Sequence, residues 1–165
     1  MLCTLKHFPG HGDTQTDSHF DVAHTNKTLE DIKKCELLPF ISGIEAGAQF
    51  VMVGHINAPN ISGENIPSEF SKYVVTDLLR NELNFNGIII TDSMQMKAIV
   101  DLYPSSKAAV DVVKAGIDVI LTPENLEEAI DGIIKAVDSG DIPISRINDS
   151  VRRILQTKLD SGIIK

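Results

Sequence analysis

Four short runs of apolar residues divide this chain, and longer segments of mixed polarity lie between them. The apolar positions within residues 49–53, 88–91 and 118–121 are consecutive rather than alternating, and this pattern is typical of strands buried on both faces of a parallel sheet. The pattern predicts strands over residues 2–8, 49–53, 88–91 and 118–121.

The segments that follow these strands carry residues typical of helix ends. Thr28 is a predicted N-cap for a helix over residues 28–48, and Pro39 within that segment predicts a kink or a division. Ser68 is the predicted N-cap of a second helix, which runs to about residue 83. Further helices are expected over residues 94–101, 106–115, 124–139 and 145–159, with a polar loop over residues 57–67.

The resulting order, β-α-β-α-β-α-β-α, indicates an α/β protein with a parallel sheet covered by helices. A doubly wound sheet and a barrel both satisfy it. Polar residues at or just beyond the C-terminal ends of the four strands are His7, His55, Asp92 and Thr122. Barrels place their active sites at this edge, but a complete barrel has eight strands in roughly 250 residues. We therefore expect half of a (β/α)8 TIM-type barrel, with about four parallel strands and covering helices.

Length, charge and composition exclude several classes of function. The chain has 165 residues, enough for one domain, and a net charge of −8, which argues against binding nucleic acid. No apolar run is long enough to span a bilayer, so no membrane partner is expected. Cys3 and Cys35 are too isolated for a disulfide framework or a cysteine metal site. We expect a cytoplasmic protein; a secreted form stays open, since an export signal would precede the missing half-barrel.

The densest chemistry lies in residues 6–19, K-H-F-P-G-H-G-D-T-Q-T-D-S-H, which hold three histidines, two aspartates and a lysine. Packing alone has little use for so many titratable groups on one loop that contains glycines. Asp17 lies two residues from His19, where its carboxylate can orient the imidazole and favour the protonated ring. Asp92 directly follows a buried strand, so either helix capping or catalysis explains it.

These stretches resemble glycoside hydrolase family 3, in its β-N-acetylhexosaminidase branch. The resemblance implies the C-terminal half of that family's catalytic barrel over residues 1–165, with the N-terminal half absent. The β-glucosidase branch lacks the D-S-H loop and usually has tryptophan after its nucleophile, whereas Ser93 and Met94 follow Asp92 here. Further matching stretches are E-L-L-P-F (36–40), V-M-V-G-H-I (51–56), L-L-R-N-E-L (78–83), G-I-I-I-T-D-S-M-Q-M (87–96), A-G-I-D-V-I-L-T-P (115–123) and R-I-N-D-S-V-R-R-I-L (146–155).

The resemblance implies a retaining, exo-acting β-N-acetylhexosaminidase that removes terminal β-linked N-acetylglucosamine, for example from cell-wall fragments. Asp92 is then the nucleophile, and His19 is the acid/base, assisted by Asp17. Retention needs an ionised nucleophile and a proton donor on either side of the anomeric carbon. No metal or cofactor is implied.

Sugar binding is implied for three further residues. Lys6 and His7 resemble the family's pair that contacts sugar hydroxyls, and the alternatives are a strand-end salt bridge and a core-facing histidine. Met94 is a candidate for the sugar site, with core packing as its alternative.

Other functions remain open at this point. A metal-dependent hydrolase would use His7, His11, Asp13 and His19, at a spacing compatible with zinc or manganese. A half-barrel could also be a non-catalytic sugar-binding or assembly module, and transfer to phosphate is an alternative to hydrolysis. The open sheet edges predict a homodimer or association with the missing half-barrel, and this chain alone is expected to be inactive or weak.

Overall fold

The structure is a computed structural model that describes residues 1–12, 14 and 22–165. Its strands are β1 (Thr4–Phe8), β2 (Ala23–His24), β3 (Phe50–Val53), β4 (Ile56–Asn57) and β5 (Ile88–Thr91). Three of them form a parallel sheet in the order β1-β3-β5, and β2 pairs with β4, also in parallel. The expected α/β class, with parallel strands and covering helices, is confirmed.

Helices follow each of the main strands. They are α1 (Leu29–Lys34), α2 (Leu38–Glu45), α3 (Pro59–Ser62), α4 (Lys97–Val100), α5 (Ser105–Ala115), α6 (Leu126–Asp138) and α7 (Ile144–Asp160). A 3-10 turn over Ser68–Phe70 leads into a helix of π type over Tyr73–Glu82. In the part of the chain that is described, no helix combines the length and the apolar character that crossing a bilayer requires.

The fourth predicted strand is reduced to a single bridge. Residues 118–121 run parallel to β5, and Ile90 pairs with Val119. Side chains replace two of the ladder partners: the N–H of Ile89 donates to Asp118 Oδ2 at 3.1 Å, and the N–H of Leu121 donates to Thr91 Oγ1 at 2.9 Å. The segment therefore occupies a strand position without a regular backbone ladder.

The predicted helix over residues 28–48 is divided, as Pro39 indicated. Thr28 caps α1 in a capping box with Asp31, in which each side chain accepts from the other residue's backbone N–H. Pro39 lies in the first turn of α2, where a missing N–H does no harm.

The predicted cap at Ser68 is wrong. The Ser68 hydroxyl donates to the carbonyl of Ile56 at 2.6 Å, so it ties the 3-10 turn back to β4 instead of capping a helix. The predicted polar loop over residues 57–67 also contains α3, and Asn57 pairs with Pro67 in an antiparallel bridge. These contacts hold the 3-10 turn close to the end of β3.

The main core lies between the sheet and the helices. Phe8, Val51 and Ile89, one from each strand of the sheet, are completely buried or nearly so in one cluster with Leu78 and Leu79 of the π-type helix. Buried apolar residues on neighbouring strands fix the register of a sheet, because a shift by one residue would turn them to the other face. Their packing therefore brings the C-terminal ends of β1, β3 and β5 to the same edge.

Candidate active site

Asp92 and His7 meet at that edge. Asp92 directly follows β5, and its Oδ2 lies 3.5 Å from Nε2 of His7 in β1. The other carboxylate oxygen, Oδ1, accepts a hydrogen bond from the Ser93 N–H at 2.7 Å. The Asp92 side chain is 17% exposed, so it is held firmly yet remains accessible to a ligand. A carboxylate in this setting is able to attack an electrophilic carbon.

The His7 ring is suited to be a neutral hydrogen-bonding group. Burial lowers its pKa, Asp92 opposes that effect, and the neighbouring positive charge of Lys6 adds to the lowering. The neutral ring has one N–H donor and one acceptor nitrogen. The ring of His11 stands edge-on to it, with centroids 5.3 Å apart. His7 therefore presents the Nε2 edge of a neutral ring to Asp92, and not a positive charge.

A buried pair, His55 and Glu69, lies behind the Asp92 loop. His55 follows β3 and Glu69 belongs to the 3-10 turn, and both side chains are fully buried. Glu69 Oε1 accepts a hydrogen bond from His55 Nδ1, and the carbonyl of Ser93 accepts one from His55 Nε2 at 2.9 Å. Ser93 thus links the pair to Asp92.

Glu36 supports the glycine-containing loop after β1. Its carboxylate pairs with Lys27, and its side chain lies against Gly10 and Gly12. A Cβ added at Gly10 would lie 2.7 Å from Cβ of Glu36. Glycine at this position therefore allows close approach as well as the backbone φ of +118°.

The remaining predicted site residues have different settings. Lys6 is exposed in the middle of β1, and its role in sugar binding stays a prediction. Met94 is 3% exposed and belongs to the main core, which favours its core-packing alternative. Asp17 and His19 lie outside the described residues, so their proposed pairing stays a prediction.

The ligand set of the metal-dependent alternative is only partly described. Asp13 and His19 lie outside the described residues, while His7 and His11 have the ring contact given above. Within residues 1–12, 14 and 22–165, no three His, Cys, Asp or Glu side chains are grouped as metal ligands.

Sequence reasoning missed Glu69 and Glu36 as parts of this site. For Glu69 the sequence carries no signal, because its burial and its pairing with His55 depend on tertiary contact. For Glu36 the stretch E-L-L-P-F was noted, but its relation to Gly10 depends on tertiary contact. His55 was placed at a strand end without a role.

Comparison with known proteins identifies the family of this chain. Residues 1–157 match the family described as Glycosyl hydrolase family 3 N terminal domain. The chain therefore belongs to glycosyl hydrolase family 3. The matched domain is the family's N terminal domain, so the prediction that named the chain a C-terminal half is wrong in that wording. The chain's extent within a barrel stays a prediction.

One curated relative and two solved structures illustrate the similarity. A β-hexosaminidase of Idiomarina loihiensis is 34% identical over 164 residues, which cover 99% of this chain and 47% of that protein. A solved glycoside hydrolase family 3 β-N-acetylglucosaminidase from Paenibacillus sp. str. FPU-7 has 39% identity and a TM-score of 0.92, over 96% of this chain and 31% of that one. A β-glucoside phosphorylase has 28% identity and a TM-score of 0.89, over 99% and 32%. The chain spans about half the length of these relatives or less.

Proposed function

We propose that this chain carries the nucleophile of a retaining, exo-acting β-N-acetylhexosaminidase that hydrolyses terminal β-linked N-acetylglucosamine. Membership of glycosyl hydrolase family 3 supports the reaction class. The β-hexosaminidase and β-N-acetylglucosaminidase relatives support the choice of sugar.

The setting of Asp92 is the observation that carries the proposal. The carboxylate stands at the C-terminal end of a parallel strand, where barrel enzymes have their active sites. One oxygen is oriented by the Ser93 N–H and the other is directed toward His7 and remains accessible. A carboxylate that only capped a helix would have no reason to face a partly buried polar ring on another strand.

The proposed reaction has two steps. Asp92 Oδ2 attacks the anomeric carbon while the protonated His19 gives its proton to the departing oxygen. The neutral His19 then takes a proton from water, which attacks the glycosyl-enzyme and releases the sugar with retained configuration. Asp17 orients His19 and stabilises its protonated form. Lys6 and His7 hold sugar hydroxyls beside the nucleophile.

The natural substrate is proposed only as a class, namely glycosides that end in β-linked N-acetylglucosamine. By itself the chain is expected to have little or no turnover, because orienting a sugar takes contacts from several strand ends of a barrel. Activity is therefore to be measured on the longest natural protein that contains this sequence.

A product assay tests the proposal. The protein is incubated with nitrophenyl β-N-acetylglucosaminide, and proton NMR follows the anomer released first. We expect β-N-acetylglucosamine to form first and the α-anomer to appear later by mutarotation. Release of the α-anomer first contradicts the proposal. Absence of turnover under conditions in which a β-hexosaminidase relative is active also contradicts it.

Transfer to phosphate is a second candidate, favoured by one observation. A structural neighbour with 28% identity and a TM-score of 0.89 is a β-glucoside phosphorylase. A histidine donor does not repel phosphate as a carboxylate would. Added phosphate would then yield N-acetylglucosamine 1-phosphate and accelerate aglycone release. If phosphate changes neither the product nor the rate, hydrolysis alone stands.

A further inference from the structure

The neighbours of the buried pair, His55 and Glu69, determine where its protons lie. The ring of His55 faces two acceptors, the Glu69 carboxylate at Nδ1 and the Ser93 carbonyl at Nε2, the latter at 2.9 Å. When Glu69 is ionised, both ring nitrogens carry a proton and donate to these two acceptors. Burial opposes a charged ring, but the charge of Glu69 and the hydrogen bonds to Glu69 and Ser93 outweigh it and raise the pKa of His55 to about 9. Burial also raises the pKa of the Glu69 carboxyl, and the charge of His55 opposes that shift. Paired with an ionised Glu69, His55 is an imidazolium at neutral pH.

Ser93 connects this cation to the proposed nucleophile. Its carbonyl accepts from His55, its N–H donates to Asp92 Oδ1 at 2.7 Å, and its hydroxyl pairs with Thr122 Oγ1 at 2.7 Å. The peptide groups on both sides of Ser93 are therefore fixed, and one of them holds the carboxylate. Any movement of the Ser93 carbonyl would change the direction in which Asp92 Oδ2 faces.

Packing alone does not account for the pair. Apolar residues of similar volume often serve as well as a buried ion pair, or better, because removing two charges from water is costly. Within the described residues, Glu69 Oε2 accepts no hydrogen bond, so the pair is not arranged for the largest number of polar contacts. The hydrogen bonds that the pair does make join Glu69 to His55 and His55 to Ser93, which contacts Asp92.

We propose that Glu69 and His55 are positioning residues, which hold the Ser93 peptide so that Asp92 faces the sugar and which place a positive charge near the nucleophile. The inference rests on the proposed function in so far as Asp92 is the nucleophile. The imidazolium attracts the ionised carboxylate, and Asp92 is in turn one of the charges that favour protonated His55. Other titratable groups that interact with the pair are His7, at the end of β1, and Tyr103, which precedes α5.

Two variants separate the charge from the hydrogen bond. Glu69→Gln removes the negative charge, but its amide can donate to Nδ1 of a neutral ring, so Nε2–H still reaches Ser93. The double variant His55→Leu/Glu69→Met replaces the pair with apolar residues of similar volume and removes the bond to Ser93. Ser68→Ala is the matched control, since it deletes a buried hydrogen bond in the same 3-10 turn and leaves the pair intact.

Nitrogen NMR of the imidazoles tests the charge directly in this chain, whether or not it turns over substrate. At about pH 7 we expect one histidine to have protons on both ring nitrogens and to titrate near pH 9. In Glu69→Gln that histidine should be singly protonated at the same pH. A neutral His55 in the unaltered chain overturns the inference.

Kinetics in the longest natural protein that contains this sequence test the positioning. The double variant should lower kcat by about 10–100-fold with little change in KM, as removal of supporting hydrogen bonds around active-site ligands does. Glu69→Gln should keep most of the plateau kcat, because its amide lets a neutral His55 ring keep the Nε2–H bond to Ser93. Ser68→Ala should change neither kcat nor KM.

The outcomes separate the positioning role from the charge role, and both from the proposed function. A wild-type plateau in the double variant overturns the positioning role, and a neutral His55 in the unaltered chain overturns the charge role. If the double variant does not fold, the imidazole spectrum and the plateau kcat of Glu69→Gln still decide. If the unaltered protein hydrolyses no glycoside, the proposed function fails, while the imidazole spectrum still reports the charge of the pair.

Discussion

Nε2 of His7 lies 3.5 Å from Oδ2 of Asp92, although β3 separates the strands to which the two residues belong. In a flat sheet, strands two positions apart are about 9–10 Å from each other. The two side chains therefore stand on the same side of the sheet and converge above β3. Such convergence is what a sheet that curves toward a barrel axis produces, and it places a nucleophile beside a sugar-binding candidate.

The proton donor is tested by substrates with different leaving groups. We expect His19→Ala to lose far more activity on alkyl glycosides than on nitrophenyl glycosides, because nitrophenolate leaves with little need for a proton. Asp17→Asn should lower the rate and shift the basic limb of the pH profile, since it leaves the imidazole without its carboxylate. Equal losses of His19→Ala on both substrates would remove His19 from the donor role, and an unchanged Asp17→Asn would remove the pairing.

Two glycines form a matched pair for testing the loop after β1. Gly10 and Gly47 both have left-handed backbone, with φ of +118° and +87°, but a Cβ meets Glu36 at Gly10 and nothing within 4 Å at Gly47. We expect Gly47→Ala to lower the free energy of unfolding by about 1 kcal/mol and Gly10→Ala by about 1–3 kcal/mol more. Urea unfolding measures both. Equal losses would show that Glu36 does not buttress the loop.

The buried pair also predicts how stability depends on pH. The pKa of His55 in the folded chain is about 9, above its ordinary 6.5, so the protonated ring stabilises the fold. That contribution is complete below about pH 6.5 and is lost as the pH rises through about 9, with a slope of at most about 1.4 kcal/mol per pH unit for one proton. The lowered pKa of His7 acts below this window.

Urea unfolding at several pH values between about 6.5 and 9 checks this expectation. Glu69→Gln is the control, because it removes the charge that raises the pKa of His55. The slope should be clear in the unaltered chain and much smaller in the variant. A flat profile in the unaltered chain would be incompatible with a buried imidazolium.

Features that depend on local sequence were predicted correctly, whereas features that depend on tertiary contacts were not. Asp92 and His7 were placed at one edge because parallel strands with apolar sequences end together, and Pro39 divided its helix as proline must. Ser68 failed as a cap because its hydroxyl contacts Ile56, a partner twelve residues away that no local rule selects. The role of Glu69 arises in the same way, from a turn folded back onto the end of β3.

The surface of α6 predicts self-association of this chain. Leu126, Ile130 and Ile134 form an exposed apolar row at a spacing of four residues. In the described part of the chain, β1 also has a strand on one side only. Soluble monomers rarely expose such a row, and an unpaired sheet edge is a further site for association, so we expect dimers or larger species in sedimentation velocity.

Lysine substitutions test this surface. Ile130→Lys/Ile134→Lys should shift the sedimenting species toward the monomer, whereas Ile163→Lys, at an exposed position outside α6, should not. A monomeric unaltered chain would refute the association, and an unaffected double variant would exclude α6 from the interface.

The central claim, that Asp92 is the nucleophile, is tested most directly by identifying the residue that the sugar labels. The protein is incubated with a ring-fluorinated N-acetylglucosaminyl fluoride, whose glycosyl-enzyme hydrolyses slowly, and peptides are mapped by mass spectrometry. The account predicts one labelled peptide, with the sugar on Asp92, and no label in Asp92→Asn; the control Asp101→Asn, which alters an exposed carboxylate paired with Lys97, should label normally. A sugar attached to any other residue, or undiminished labelling of Asp92→Asn, would contradict it.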